Sequence, residues 1–468
     1  MSEETKTPIQ CNGRQVIYTP YEKVDKNNIV TVLMTALPIF AQNQQQIKYL
    51  FNYYRGITPI QGRTKTVRPE INNKISVNRA SQIVAFKVGY LFNEPVQYIS
   101  RGENQDNVKK ISELNDFMYI QDKEYHDKEL AESFSICGTS YRLVLPESEE
   151  VPFNIYDVDT TNAFVVYSNG IGHKPVLGVI ITQTQADIDN GNVFRYCCYT
   201  EKEYFELVGS DPYVISLQKR HTLGKIPLIE YPNNSFRLGD FELVLPLLDA
   251  LNNIYSNRID GVEQFVQSLM KFINVDISQE DFAALKELGA IKVFSQDGKT
   301  ADVQFMSQEM HQNDVQILVN CIEKDILTIC GMPNESGSNA STSDNVGAVV
   351  VRQGWQGAEA RAKSTELVFK RSEKAFLSLA LKIYNTFKKT NLSIADIDIK
   401  LPRRNYENVS QKATVLTTML GSDKIDPKLA FESCGLFTDP EMAYEMSKKY
   451  AEKIELIKEK LSNGSENK

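Results

Sequence analysis

One tripeptide in the sequence, Gly298-Lys299-Thr300, has the residue types that end a phosphate-binding loop. In such a loop, glycine-rich backbone wraps the phosphates of a nucleotide and the lysine reaches the outer phosphates. The pattern also needs a glycine five residues before the Gly-Lys pair, and the chain has Val293 there. We therefore interpret the tripeptide as a turn between strands rather than as a nucleotide site.

Asp157 and Asp159 are a second candidate, because two carboxylates one residue apart lie on the same face of a strand. Carboxylates in pairs can hold a divalent metal ion. No histidine or further acid stands nearby in the sequence, however, so we favour a solvated turn and keep a metal site as the alternative. The sequence contains no G-x-S-x-G, H-E-x-x-H or G-x-G-x-x-G.

The cysteines and histidines do not follow a metal-ligand pattern. The histidines are scattered, the number of cysteines is odd and there is no C-x-x-C, so we predict reduced thiols, no metal and no cofactor. The cysteines stand at 11, 137, 197, 198, 321, 330 and 434, and the histidines at 126, 173, 221 and 311. These observations favour a binding or architectural protein over an enzyme.

The composition is that of a folded protein. Of the 468 residues, 42% are hydrophobic and 24% charged, and this length favours two or more lobes. The net charge of −8 argues against a protein that grips nucleic acid tightly, because such binding depends on a basic face that neutralises phosphates. The start, MSEETKTP, is polar, and the longest apolar stretch, 29–41, is shorter than the roughly 20 residues that span a bilayer. We expect a soluble protein made inside a cell, with no signal peptide and no membrane contact.

The first half of the chain reads as helices followed by strands. Apolar residues at helical spacing predict helices over 29–55, 76–91 and 107–136, with Pro38 kinking or splitting the first. The segment 57–70 between the first two helices is a basic loop. Short β-rich runs between Gly, Asn, Asp and Pro turns predict strands within 139–232.

The middle of the chain predicts two helices around a compact insert. Residues 241–270 read as a long amphipathic helix with one apolar face and one uncharged-polar and acidic face. In the insert, 271–307, we predict a hairpin between 291–294 and 303–305. A second helix follows over 312–331, so the two helices can pair as the legs of a stalk.

A polar segment, 333–345, follows the second helix, and its composition is typical of a mobile loop or a passive linker. We predict a long helix over 346–389 next, with a bend near its glycine-rich start. One strand over 396–401 and further helices over 408–463 complete the chain.

Three stretches together resemble the SPP1-type phage portal family. The first runs from Tyr53-Tyr54-Arg55-Gly56 through Ile71-Asn72-Asn73-Lys74-Ile75 to Gly89-Tyr90-Leu91-Phe92-Asn93-Glu94-Pro95, with Asn93 where the family usually has glycine. The second is Gly138-Thr139-Ser140-Tyr141. The third runs from Leu223-Gly224-Lys225-Ile226-Pro227 to Gly239-Asp240-Phe241-Glu242. The order helix, insert, helix, loop and long helix continues the likeness over most of 30–400.

The resemblance implies an α+β, multi-lobed portal fold. It has a β-rich wing over 1–240 with a strand at 391–405, and a stem made of helices 241–270 and 308–332. A small α/β clip lies at 271–307 and a tunnel loop at 333–346. A long spine helix of the wing follows over 347–390, and a helical crown ends the chain over 406–468.

The resemblance also implies a function as a portal. The chain would form a homo-oligomeric ring, a dodecamer, at one capsid vertex of the virion, assembled in the host cytoplasm. Double-stranded DNA passes through the ring during packaging and ejection. The clip docks the terminase large subunit and head–tail adaptors, and the ring meets the major capsid and scaffolding proteins. The acidic balance of the chain fits a channel that lets a polyanion pass.

Each part has candidate residues. For the tunnel loop they are the polar residues Ser336, Ser338, Asn339, Ser341, Thr342, Ser343 and Asn345. For the channel face of the stem they are Asn253, Asn257, Asp260 and Gln264. For the docking surface of the clip they are Lys286, Glu287, Asp297 and Lys299.

Two other functions remain open. One is a different phage structural or adaptor protein, with a helical stalk and no DNA channel. The other is an enzyme that uses the Asp157/Asp159 turn or the Gly298-Lys299-Thr300 tripeptide. A ring seen end-on favours the portal, and ATPase or nuclease activity would favour the enzyme.

Overall fold

A computed structural model gives the fold of the chain. It describes residues 12–66, 68–102, 105–147, 152–189, 193–209, 213–266, 269–273, 302–306, 312–334, 354–402, 409–437 and 439–465. The fold is mixed α+β, as predicted. The chain divides into two units, one made of 1–55, 79–244 and 327–468, the other of 56–78 and 245–326.

In the first unit, a long helix packs on a six-stranded sheet. Helix α1, Ile29–Tyr54, is continuous through Pro38, so the predicted split does not occur. Its buried face, which includes Val32, Leu33 and Phe40, packs with apolar side chains of the sheet. The strands are β1 (Ile17–Thr19), β5 (Ala163–Ser168), β6 (Pro175–Thr182), β7 (Arg195–Tyr199), β8 (Glu203–Val208) and β9 (Val214–Arg220), in the spatial order β1-β5-β6-β7-β8-β9.

Two smaller sheets lie elsewhere in the first unit. Strands β3 (Thr139–Pro146), β4 (Phe153–Val158) and β10 (Leu228–Pro232) form a sheet in the order β10-β3-β4. Strand β2 (Gln97–Ser100) pairs antiparallel with β13 (Ile397–Lys400), which confirms a strand near the predicted 396–401.

The largest core of this unit surrounds one long helix, α8, Trp355–Lys388. Helices α2 (Arg79–Leu91), α3 (Gln105–Ile120) and α4 (Lys123–Cys137) contribute to that core together with β2, β3, β4, β10 and β13. The single helix predicted over 107–136 is two helices, because Asp122 has a φ of +49° and this left-handed conformation interrupts the helical backbone. A short helix, α5 (Gln185–Asp189), lies between β6 and β7.

The last helices of the chain have a small core of their own. Helices α9 (Val409–Leu420), α10 (Pro427–Cys434) and α11 (Pro440–Ser465) contact one another around Leu416, Ala430 and Phe431. Asp426 caps the start of α10 by accepting a hydrogen bond from the Lys428 amide.

Within its described residues, the second unit contains two helices, one pair of strands and the segment 56–78. Helix α6 is Leu245–Val266, shorter than the predicted 241–270, and α7 is Gln312–Cys330, whose last residues belong to the first unit. Strand β11 (Leu269–Ile273) pairs with β12 (Asp302–Met306). The predicted pairing of 303–305 with 291–294 stays a prediction, because residues 291–294 lie outside the described residues.

Candidate functional site

Glycines from two of the sequence motifs meet at one junction of the first unit. Gly138 ends α4 with a φ of +83°, and a Cβ there would lie 1.9 Å from the carbonyl oxygen of Arg237. At Gly239 a Cβ would lie 2.2 Å from the carbonyl oxygen of Ile136. Because neither gap holds a methyl group, glycine is required where the 233–242 segment crosses the end of α4.

Polar side chains hold the same crossing. Asp240 accepts a hydrogen bond of 2.6 Å from the hydroxyl of Ser135, and its amide donates to the carbonyl of the same serine. The side-chain amide of Asn233 donates a hydrogen bond to Asp240, and its backbone amide donates to the carbonyl of Gly138. The motif residues of this junction thus support each other just before α6 begins.

A buried ion pair completes the junction. The guanidinium of Arg14 donates to the carboxylate of Glu242, and both side chains are almost fully buried. The same carboxylate accepts from the amides of Gly13 and Gly239, at 2.9 and 2.7 Å. Breaking such a pair leaves an uncompensated buried charge and costs about 3–5 kcal/mol, so Glu242 is essential to the junction.

In the second unit, residues 56–78 form a strap that packs on α6 and contains a short 3-10 helix, Pro59–Gly62. The polar helix residues Asn252, Ser256 and Asp260 accept hydrogen bonds from backbone amides of the strap. The donors are the amides of Val77, Ile75 and Asn73, at 2.8, 2.9 and 2.7 Å respectively.

The spacing of these bonds follows from helix and strand geometry. Four residues of helix rise about 6 Å, and two residues of extended chain span about 6.6 Å. Acceptors four residues apart on α6 therefore match amides two residues apart on the strap, as long as the two run antiparallel. One polar face of α6 therefore binds the backbone of the strap, and the bound part contains the Asn72-Asn73-Lys74-Ile75 motif.

Three basic residues of the strap, Arg63, Lys65 and Lys74, are bonded within the second unit. Both Lys65 and Arg63 pair with the carboxylate of Asp260, Arg63 at 3.2 Å. Lys65 also donates to the carbonyl of Ile71, and Lys74 to that of Gln61. Burial raises the pKa of Asp260, but hydrogen bonds from Lys65 and Asn73 outweigh it, and the pKa lies below its ordinary value. Asp260 is therefore a carboxylate held ionised by the strap.

The stem residues predicted to face a channel divide between two faces of α6. Asn253 and Asn257 are exposed, at positions i and i+4 of the helix, and the side chain of Asn257 accepts a hydrogen bond from Arg63 of the strap. Asp260 is only 3% exposed. The prediction that Asp260 lines a channel is therefore corrected, because the strap covers it. The side chain of Gln264 lies outside the described residues, although its backbone continues α6.

A third face of α6 is apolar and largely uncovered. Ile259 and Val262 are 38% and 49% exposed, and Tyr255 stands one helical turn before them. On α7, Val319, Ile326 and Cys330 form the buried stripe, while Ile317 and Leu318 are 61% and 50% exposed. Both helices thus carry apolar surface that no described residue of the chain covers. Uncovered apolar surface of this kind is typical of an interface.

The other predicted site residues lie outside the described residues. These are the loop residues Ser336, Ser338, Asn339, Ser341, Thr342, Ser343 and Asn345, and the insert residues Lys286, Glu287, Asp297 and Lys299. The Gly298-Lys299-Thr300 tripeptide also lies there.

The chain on both sides of the polar loop is described, and each side has a glycine in a left-handed conformation. Gly331 has a φ of +63° directly after α7, and the amide of Met332 donates to the carbonyl of Leu327, which closes the helix end. The side chain of Arg361 lies against Gly331, 2.4 Å from where a Cβ would stand. Gly354, with a φ of +79°, precedes α8.

The alternative chemistry at Asp157 finds no support in the described residues. Asp157 lies 2.6 Å from the Nδ1 atom of His126, and Asp159 accepts hydrogen bonds from Thr161. No group of three or more His, Cys, Asp and Glu side chains in the described part of the chain could hold a metal ion. None of the described helices is long and apolar enough to cross a bilayer.

Sequence reasoning missed the strap as a partner of α6. Two signals could have indicated it: the cluster of basic residues in an otherwise acidic chain, and the small polar residues at 252, 256 and 260, spaced four apart. Neither signal says that the two segments meet, because 195 positions separate Lys65 from Asp260.

Comparisons with known proteins complete the description. A family model described as "Phage portal protein, SPP1 Gp6-like" matches residues 36–466. A search of curated proteins gives no significant match. Among solved structures, a chain in the neck of an empty gene transfer agent particle is 10% identical, with 76% of this chain and 90% of that chain covered and a TM-score of 0.43. A chain in the virion of a native gene transfer agent particle is also 10% identical, with 84% and 93% covered and a TM-score of 0.44.

Proposed function

This chain belongs to the SPP1 Gp6-like family of phage portal proteins, and from that premise we propose how its parts work. Portal proteins are structural proteins of the capsid and its connector, not enzymes. The observation that carries the proposal is the division of α6 into a strap face, a polar face and an uncovered apolar face.

We propose that copies of the chain form a closed ring, a dodecamer, at one capsid vertex. A ring needs two different surfaces on each subunit that meet after a fixed rotation. The uncovered apolar side chains Ile259 and Val262 of α6, and Ile317 and Leu318 of α7, supply apolar surface for such contacts. Burying them between neighbours removes apolar area from water, which favours association.

The polar face of α6 then lines the channel through which DNA is packaged and ejected. Asn253, Asn257 and Gln264 are the residues of this face. Uncharged side chains bind phosphates weakly, so DNA can slide past them. Asp260 has a different role in this proposal: together with the strap it holds the helix so that the polar face remains exposed.

We assign the remaining regions by the family resemblance. Residues 1–240 with the strand at 391–405 are the wing, 241–270 and 308–332 the stem, 347–390 the spine helix and 406–468 the crown. The clip, 271–307, docks the terminase large subunit and head–tail adaptors through Lys286, Glu287, Asp297 and Lys299. The tunnel loop, 333–346, contacts the duplex through its serine, threonine and asparagine side chains. The assembled ring also meets the major capsid and scaffolding proteins, so it resides in the virion.

End-on electron microscopy of the purified chain tests this proposal. We expect rings with an open centre and a fixed rotational symmetry, together with a native mass that is a multiple of the subunit mass. A chain that stays monomeric or dimeric under all conditions, with or without scaffolding protein, would overturn the ring. That result would instead favour an adaptor with a helical stalk.

A further inference from the structure

Four charged side chains and two tyrosine hydroxyls meet in the core of the first unit, and none of them has a role in the proposed function. The charged residues are 0–3% exposed. The group consists of Lys123, Asp127, Arg142, Glu373, Tyr98 and Tyr231.

Glu373 is the centre of this group. Its carboxylate lies 2.8 Å from the ammonium of Lys123 and 3.7 Å from the guanidinium of Arg142. It also accepts hydrogen bonds from the hydroxyls of Tyr98 and Tyr231, at 2.5 and 2.7 Å. The partners come from α4, β3, β2 and β10, so one side chain of α8 is bonded to four other elements.

The remaining contacts balance the charges. Asp127 lies 2.6 Å from Lys123 and 2.8 Å from Arg142, so two cations face two anions. Burial raises the pKa of Glu373, but the charges of Lys123 and Arg142 outweigh it, and the pKa lies below its ordinary value. The carboxylate is therefore ionised, although it is buried.

The ion-pair network contributes little net stability for the number of charges that it buries. Within the described residues, Arg142 Nε and Nη1 have no hydrogen-bond acceptor. Apolar side chains of similar volume often replace a buried ion-pair network without loss of stability. A buried polar group has one better-attested effect, which is to specify a single register of a helix.

The apolar pattern of helix α8 does not by itself fix the register of that helix. Its buried residues Ala362, Phe369, Phe376 and Ile383 follow one another at intervals of seven. If α8 were displaced along its own axis by seven residues, about 10.5 Å, most of these buried positions would still be filled by an apolar side chain. In one direction Lys370 would take the buried place of Leu377, which excludes that slip. In the other direction Lys388 would take the buried place of Leu381, and Ala380 would replace Glu373 and leave Lys123 and Arg142 without their carboxylate.

We propose that Glu373 is a positioning residue. Its bonds to the network of Lys123, Asp127 and Arg142 fix the position of α8 along its own axis. Glu373 acts on the start of that helix, about 27 Å away along the axis, where the chain enters from residues 335–353. At the start, Trp355 packs on Phe86 and Tyr90, with ring centroids 6.1 and 6.0 Å apart, and the hydroxyl of Tyr90 donates to Glu359 at 2.9 Å. The consequence for DNA passage rests on the proposed function, whereas the axial position of α8 does not.

Trp355 makes the inference testable, because it is the only tryptophan of the chain. The test compares the purified full-length wild type with the apolar variant Lys123→Met/Asp127→Leu/Arg142→Met/Glu373→Leu. We expect the variant to keep its circular dichroism and a cooperative thermal transition. Its Trp355 emission should nevertheless shift to longer wavelength, decay with several lifetimes and be quenched more strongly by acrylamide. A wild-type Trp355 signal in the folded variant would overturn the proposal.

A single substitution, Glu373→Gln, keeps the inference testable if the fourfold variant does not fold. The amide can still bond the tyrosines but carries no charge for Lys123 and Arg142. We expect a lower melting temperature together with a heterogeneous Trp355 decay. A lower melting temperature with an unchanged decay would show a role in stability alone and would overturn the proposal.

The matched control removes an exposed charge of the same helix. Arg371 is exposed on α8, and the variant Arg371→Gln should leave the Trp355 signal as it is in the wild type. DNA packaging by the same variants distinguishes the position of α8 from its consequence for DNA passage. A heterogeneous Trp355 signal with normal packaging would uphold the positioning role of Glu373 and overturn the assignment of 333–346 to DNA contact.

Discussion

The hydroxyl of Ser256 accepts a hydrogen bond of 2.9 Å from the backbone amide of Ile75, across 181 positions of sequence. Ser256 is 0% exposed, so no water replaces this bond. The same hydroxyl donates to the carbonyl of Asn252 one turn earlier on α6. The strap is therefore attached to α6 at its midpoint by a side chain that is itself fixed by the helix.

The variant Ser256→Ala should be less stable by about 1–3 kcal/mol, because the part-buried amide of Ile75 loses its acceptor. Chemical denaturation of the purified chain measures the difference in the free energy of unfolding. The control is Thr64→Ala, which removes an exposed hydroxyl from the strap itself and should change stability by less than about 0.5 kcal/mol. Equal effects of both substitutions would contradict the anchoring role of Ser256.

The stabilisation by Asp260 should depend on pH in the acid range. Its folded-state pKa lies below the ordinary value, because Lys65 and Asn73 bond the charged form. Such a group stabilises the fold fully above its unfolded-state pKa, near about 4, and the stabilisation is lost as pH falls through the lowered folded-state pKa.

The free energy of unfolding of the wild type should therefore exceed that of Asp260→Asn by a constant amount near neutral pH. The difference should shrink below about pH 4. Urea titrations at a series of pH values measure it. Glu70→Gln, at an exposed glutamate of the strap, is the control and should change the free energy of unfolding by less than about 0.5 kcal/mol. A gap between wild type and Asp260→Asn that persists into strong acid would contradict the ion pairs.

Much of the fold was predictable from local patterns. The helical spacing of 29–55 and the apolar alternation of 396–401 each depend on neighbours along the chain, so α1 and β13 agree with their predictions. Asp122 shows the limit. Its left-handed conformation divides α3 from α4, and nothing in the flanking residues demands that break.

The candidate site was less predictable, because its contacts join distant segments. Small polar residues at 252, 256 and 260 look alike whether they face water or a strap. The choice depends on residues 73–77, which reach α6 only in the folded chain. Asp260 was assigned to a channel for this reason, whereas Asn253, one position beyond Asn252, is exposed.

Gly331→Ala should disturb the start of the polar loop. Alanine at a φ of +63° costs about 1–2 kcal/mol, and the new Cβ would displace the side chain of Arg361. The control, Gly357→Ala, lies in the first turn of α8 with nothing within 4 Å of its Cβ. That variant should be neutral or gain up to about 1 kcal/mol. Thermal unfolding compares the two, and a stable Gly331→Ala would mean that the helix end tolerates another conformation.

Deletion of Ser336–Asp344 tests the proposed tunnel loop. Ring formation should be unaffected, because the proposed subunit contacts lie on the apolar faces of α6 and α7. Packaging or retention of DNA should be impaired, because the proposed contacts with the duplex are removed. Electron microscopy and a nuclease-protection assay measure the two properties on the same particles. A deletion that prevents ring formation would show that the segment is part of the subunit interface instead.

The sign of charge at Asn253 tests whether the polar face of α6 meets DNA. Asn253 is exposed, so Asn253→Lys should not disturb the strap, but in a ring it adds one cation per subunit along the channel. Cations bind phosphate by releasing counterions, and this binding weakens as salt is added. We expect Asn253→Lys to slow packaging severalfold at low salt and to recover at high salt, whereas Asn253→Asp should package at close to the wild-type rate. Equal behaviour of the two variants would mean that this face does not meet the duplex, since only a nearby phosphate backbone distinguishes their charges.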